Sequence, residues 1–258
     1  MTNWISAFLR KALGQFGYVL IKKDYARFGY SLPADIKRIS RVWDWSIDVV
    51  FDIGANVGQF AGEALSDIPD ARIYSFEPFP NSFEKLAVSH TGPRFSPHNL
   101  AMCDKIGPVE FYVYGESGDA SQINSLVPDA QFPKKFGFTS QKIEVDGSTV
   151  DAFCTSHSIK RIDLLKIDTE GSELQVLKGA ENLLRAGSVR FVFVEFNTFI
   201  PKVGNTGGAL LPIAEYLRKF GYEYMVTYTD YVQQDRQLWV NANALFARPP
   251  ESGLSTGN

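Results

Sequence analysis

Apolar positions along this chain follow two periods in turn. Residues 4–21 carry Trp4, Ile5, Phe8, Leu9, Ala12, Leu13, Phe16 and Leu20 at helical spacing, an apolar stripe on an amphipathic helix. Residues 25–45 read as a loop and then a helix, with Pro33 suited to a first turn after Ser31. From Asp48 short β-branched and aromatic runs alternate with helical periods. The pattern predicts strands over 48–52, 72–77, 95–100, 162–167 and 190–195, with helices over 57–67, 81–89, 149–157, 172–185 and 209–219. Such alternation implies a mostly parallel sheet covered by helices on both faces. Val109–Tyr114 reads as a hairpin-like insertion on that sheet, reached through the turn 105–108, and 143–145 as a short strand. The last two runs, 223–228 and 239–247, lie too close for a helical crossover and are expected to pair antiparallel.

These signals divide the chain into an N-terminal helical extension (1–45), an α/β domain (46–248) and a tail (249–258) expected to be disordered for want of apolar content to bury. Within the domain, 115–141 is rich in Gly, Ser, Asn, Asp and Pro, and a loop this long is expected to be a lid, a binding loop or disordered, with a lid the favoured reading. A net charge of −3 gives no bulk basic field for nucleic acid. Cys103 and Cys154 form no CxxC and fit a reducing, cytoplasmic setting. The first 23 residues are a poor secretory signal, because Arg10, Lys11 and Gln15 interrupt the apolar run. The 4–21 helix is expected to pack on the domain or on a second subunit, as in a homodimer. Its alternative, given the basic flanks Lys22 and Lys23, is peripheral contact with a membrane surface.

The candidate chemistry sits at strand ends. The run DVVFDIGANVG ends a strand at Asp52 and turns through Gly54, Ala55, Asn56 and Gly58 into a helix; IYSFEP ends the next strand at Glu77. This is the layout of a nucleotide-cofactor site in an open α/β sheet, with the second acid placed to accept from ribose hydroxyls. The glycine spacing departs from GxGxxG, and an acid at Asp52 suits a cationic group, such as the amino or sulfonium end of S-adenosylmethionine, better than a phosphate. LLKIDTEGSE delivers Asp168 and Glu170 to the same edge, and RFVFVE delivers Glu195. By the parallel-sheet argument Asp52, Glu77, Asp168 and Glu195 all face one crevice, where they could bind cations, orient hydroxyls or act as a base. A divalent metal is the alternative, with no HxH, CxxC or DxD spacing in its favour. Of His90, His98 and His157, only His98 ends a strand near the crevice and is a candidate base. Glu173 reads as a first-turn acid favouring its helix dipole.

The blocks VVFDIGANVGQF, IYSFEPFPNSFEKL, NLAMCDKIGPVEFYV, NSL, STVDAF and IDLLKIDTEGSELQVLKGA, with the strand ending in Glu195, resemble the FkbM family of S-adenosylmethionine-dependent methyltransferases over about residues 48–200. The resemblance implies a Rossmann-like class I methyltransferase fold, a seven-stranded sheet with its last strand inserted antiparallel. It implies methyl transfer to a hydroxyl of a sugar, glycan or natural product. It assigns Asp52 through Gly58 to the amino-acid part of the cofactor, Glu77 to the ribose, Leu100 and Ala101 to the adenine, and Asp168 and Glu170 to the transferred methyl. The residues alone leave two alternatives: an NAD-dependent oxidoreductase, against which the missing GxGxxG counts, and a non-catalytic binding protein on the same fold.

Overall fold

Five parallel strands form the centre of a computed structural model that describes residues 3–16, 27–114, 124–127, 140–197, 210–234 and 237–250. Most of the expected lid loop, the tail from 251 and the end of the first helix lie outside those residues. The chain runs α1 (Asn3–Gln15), α2 (Leu32–Trp43), β1 (Val49–Ile53), α3 (Gln59–Asp67), β2 (Arg72–Phe76), α4 (Pro80–Ser89), β3 (Phe95–His98) and β4 (Ala101–Met102). It continues β5 (Gly107–Tyr114), β6 (Ser140–Ser148), α5 (Val150–Ser156), β7 (Ile162–Ile167), α6 (Glu173–Gly179), α7 (Glu181–Arg185), β8 (Val189–Asn197), α8 (Leu210–Arg218), β9 (Glu223–Gln234) and β10 (Gln237–Ala247). The main sheet has the order β3-β2-β1-β7-β8-β10-β9. Pairing is parallel from β3 to β8, and β10 enters antiparallel to both β8 and β9. The expected seven strands and terminal hairpin are both present.

The central strands are mostly apolar because both faces are covered, with Asp52, Asp163 and Lys166 as buried charged exceptions. Every residue of β7 (IDLLKI) is buried. One face packs Phe51, Ile167 and Val194 against α5, α6 and α8 through Phe153, Leu177 and Leu217. The other packs Val50, Leu164 and Phe193 against α2 and α3 through Ile36, Ile39 and Ala61. The second half of the expected N-terminal extension is thus built into the core. Asp35 of α2, fully buried, accepts hydrogen bonds from Gly29 N (2.7 Å) and from the Tyr228 hydroxyl of β9 (2.9 Å). By contrast Phe8 and Phe16, in the stripe of the first helix, are exposed.

Two expectations are corrected. The insertion does not lie on the main sheet: β5 pairs antiparallel with β6, and β4 pairs parallel with β6, as a separate three-stranded sheet. The helix expected over 172–185 is two helices. The break falls at Ala180, which caps both helices, next to Gly179, where a Cβ would lie 2.0 Å from the Cys103 carbonyl oxygen.

Candidate active site

The carboxyl ends of β1, β2, β7 and β8 open onto one cavity of about 520 Å³, an ordinary size for a small-molecule site. Its first wall is the turn after β1. Gly54 N and Ala55 N both donate to Phe76 O at 3.0 Å, which lashes the turn to β2. Asn56 takes a left-handed backbone (φ 48°), and its N–H donates to Glu77 Oε2 at 2.8 Å. Glu77 Oε1 accepts from Phe79 N at 2.9 Å. The carboxylate therefore fixes both the β1 turn and the start of α4, and each oxygen keeps a second lone pair for a ligand. Burial pushes the Glu77 carboxyl up to about 7, against the two backbone donors and Lys166, which pull it down. Leu100, Ala101 and Met102 line the same side.

The opposite wall carries the acids. Asp168, Glu170 and Glu195 line the cavity, and each offers a carboxylate oxygen within 4.8 Å of the others. Burial is the main cause that lifts Glu170 well above the usual carboxylate range, and the neighbouring Asp168 adds to it. The same two causes lift Glu195, which also hydrogen-bonds Asp168. The 169–171 loop is held rigid from beneath: Glu173 Oε1 accepts from Thr169 N (3.2 Å), Thr169 Oγ1 (3.2 Å) and Gly171 N (2.9 Å). Glu173 is structural, as its place in a first helical turn suggested.

Three of the site residues expected from the sequence stand elsewhere. Asp52 does not face the cavity. It is the register partner of Ser75 in β2 and of Lys166 in β7, and it is buried between them. Its Oδ1 lies 3.0 Å from Lys166 Nζ, and Ser75 Oγ donates to its Oδ2 at 3.3 Å. Gly58 is a packing glycine, because a Cβ there would lie 2.7 Å from Ser89 Oγ and 3.1 Å from a Leu86 methyl. His98, half-buried on the edge strand β3, stacks on Phe76 (5.3 Å between ring centres) and meets Phe153 edge-on at 4.8 Å, and it does not line the cavity. Burial lowers it to about 4, so it is neutral and a weak base near pH 7. Gly54 does line the cavity, but its absent Cβ makes room for protein. A Cβ would lie 1.7 Å from the Asp168 carbonyl oxygen.

Lys166, Asn124 and Asn243 also line the cavity and were not singled out from the sequence. Lys166 Nζ lies 3.3 Å from Asp168 Oδ2 and donates to Gly54 O at 3.2 Å. Burial alone would lower it, but Asp52 and Asp168 outweigh burial and raise it, so it stays a cation. The pattern Lys-Ile-Asp, a charge on either side of one buried residue, was its only signal. Asn243 is brought beside Glu195 by the β8–β10 register.

The strand order, the turn after β1 and the acids along one sheet edge define a Rossmann-like class I methyltransferase. The family model of the methyltransferase FkbM domain matches residues 52–224, and the chain belongs to that family of S-adenosylmethionine-dependent methyltransferases. Among curated relatives, it is 28% identical to the 2-O-methyltransferase NoeI of Sinorhizobium fredii over 58% of this chain and 63% of that protein. It is 28% identical to the 31-O-demethyl-FK506 methyltransferase FkbM of Streptomyces tacrolimicus over 68% of this chain and 72% of that one. It is 29% identical to the hexuronic acid methyltransferase AglP of Haloferax volcanii over 58% and 56%. The matched part is thus less than two thirds of the length of NoeI and of AglP.

The residues present fit this cofactor chemically: Glu77 keeps lone pairs free for hydroxyl donors, Leu100 to Met102 add an apolar wall, and three carboxylates stand beside one cation, Lys166.

Proposed function

We propose that this chain catalyses O-methylation of a sugar, glycan or similarly oxygen-rich natural product. The observation that carries the reading is one cavity with a ribose-type acceptor, Glu77, on one wall and the Asp168–Glu170–Glu195 trio on the other. When bound, S-adenosylmethionine would supply an electrophilic methyl group for the acceptor oxygen and would keep the carbon–sulfur electron pair on its sulfur, while a carboxylate of the trio would take the hydroxyl proton. The trio suits the last task. A carboxylate accepting the hydroxyl hydrogen bond aims the oxygen and is placed to take its proton. Lys166 fixes Asp168 in place through its ion pair. The relatives support an acceptor rich in oxygen: AglP is a hexuronic acid methyltransferase, and FkbM methylates 31-O-demethyl-FK506.

The test is transfer of labelled methyl from S-adenosylmethionine to a panel of methyl glycosides that includes a methyl hexuronide. Asp168→Asn, Glu170→Gln and Glu195→Gln should keep cofactor affinity, and at least one should lose roughly 10²–10⁴-fold in kcat, the usual contribution of a general base. Full turnover in all three variants overturns the role of the trio. The same three carboxylates have the ligand chemistry for a divalent cation. The expected result is activity that withstands EDTA; activity lost to EDTA and restored by Mg²⁺ would reassign the trio to metal binding.

A further inference from the structure

Asn124 is nine-tenths buried and lines the cavity, yet its side-chain nitrogen has no hydrogen-bond partner. Buried amide donors are rarely left in this state, and each such group calls for an explanation. Its orientation is not free. Asn124 Oδ1 accepts from Tyr114 N at 3.0 Å, so a flipped amide would set N–H against N–H. The backbone around it is equally fixed. Ser125 exchanges two hydrogen bonds with Tyr112 (2.8 and 3.1 Å), and Ser125 Oγ donates to Glu170 O at 2.8 Å while accepting from Val127 N at 3.0 Å. The amide and the Glu170 carboxylate are therefore carried on one braced unit, although 46 positions of sequence numbering separate Asn124 from Glu170.

The geometry points to Asn124 Nδ2 as the donor that binds a second oxygen of the acceptor, beside the hydroxyl that is methylated. This rests on the reading of the site given above and narrows it to acceptors with two neighbouring oxygens, as on a pyranose ring. The complementarity is of chemical type: the carboxylates accept, so they take the hydroxyl that must lose its proton, while the amide donates, so it takes an oxygen that keeps its lone pairs. A lone hydroxyl on an apolar skeleton would leave the buried donor unsatisfied, which is how hydrogen-bonding sites reject analogues that lack one oxygen.

The test compares Asn124→Asp at pH 8 with the wild type. This substitution keeps the oxygen that accepts from Tyr114 N and removes the donor; Asn124→Ala is the second variant. S-adenosylhomocysteine affinity by calorimetry should stay within about twofold in both, which also reports an intact cavity. The probes are methyl hexopyranosides, a methyl hexuronide and their monodeoxy analogues. The wild type should lose tenfold or more in kcat/KM on the analogue lacking the neighbouring oxygen, and the variants should treat parent and analogue alike, with the change in KM. Variants that keep wild-type discrimination overturn the assignment, and a tenfold fall in S-adenosylhomocysteine affinity moves the amide to the cofactor. A wild type that methylates none of the glycosides overturns the acceptor reading, and this inference with it, before any variant is compared.

Discussion

Glu77 shows how one side chain links folding to ligand binding. It joins the β1 turn to α4 through two backbone donors, and burial pushes its pKa up to about 7 from an ordinary 4.5. Because the folded pKa lies above the unfolded one, the native state binds the proton more tightly. That contribution to stability is complete below about 4.5 and is lost as pH rises through 7, to an extent on the order of 3 kcal/mol. Ribose hydroxyls donating to the charged form pull the pKa back down. S-adenosylhomocysteine binding at pH 6.5 should therefore release protons, and affinity should rise towards pH 8. Calorimetry in two buffers of different ionisation enthalpy measures the release, which should shrink in Glu77→Gln. Equal release in both proteins would mean that the carboxylate does not meet the ligand. At this scale the strand-end pattern was enough to bring Glu77, Asp168, Glu170 and Glu195 to the wall of one cavity, since parallel strands end at a common edge. Asp52 was misread for a physical reason. β1 runs one residue further, to Ile53, and the side chain is claimed by Lys166 and Ser75, whose register no single strand reveals.

At the scale of elements, the buried parallel strands were readable because burial on both faces demands continuous apolar runs. The smaller sheet was not. β6 (SQKIEVDGS) is mostly polar and wet on one face, so only its middle was recognised, and β4 has two residues. α2 illustrates a further gap: its apolar stripe announced a helix but not what it would meet. The Asp35 carboxylate is the clasp, accepting from Gly29 N, Tyr228 and Arg38. Asp35→Ala should lower stability by about 3 kcal/mol in urea unfolding, since it strands a half-buried tyrosine hydroxyl, a backbone donor and Arg38. Deleting residues 1–16 should cost far less, because Phe8 and Phe16 bury little. A loss below 1 kcal/mol for Asp35→Ala would show that α2 is held by its apolar contacts alone.

The whole molecule explains why the site is where it is. Parallel order brings the carboxyl ends of β2, β1, β7 and β8 to one edge, and the antiparallel β10 adds Asn243 beside Glu195 from the opposite direction. The small sheet adds Asn124 from the segment that follows β5. Residues on successive strand ends could be gathered from sequence by topology alone. Asn124, Asn243 and Lys166 could not, because their places depend on an antiparallel register, an inserted sheet and a buried ion pair. Among the described residues no helix is long and apolar enough to cross a membrane. The central claim is a division of labour within one cavity, with Glu77 for the cofactor and the trio for the acceptor. Titration of S-adenosylhomocysteine into wild type, Glu77→Ala and Glu195→Gln tests it most directly. One-to-one binding should weaken about tenfold or more in Glu77→Ala, the loss of a hydrogen bond to a charged acceptor, and stay near wild type in Glu195→Gln. No binding to the wild type, or equal binding to all three proteins, would contradict the account.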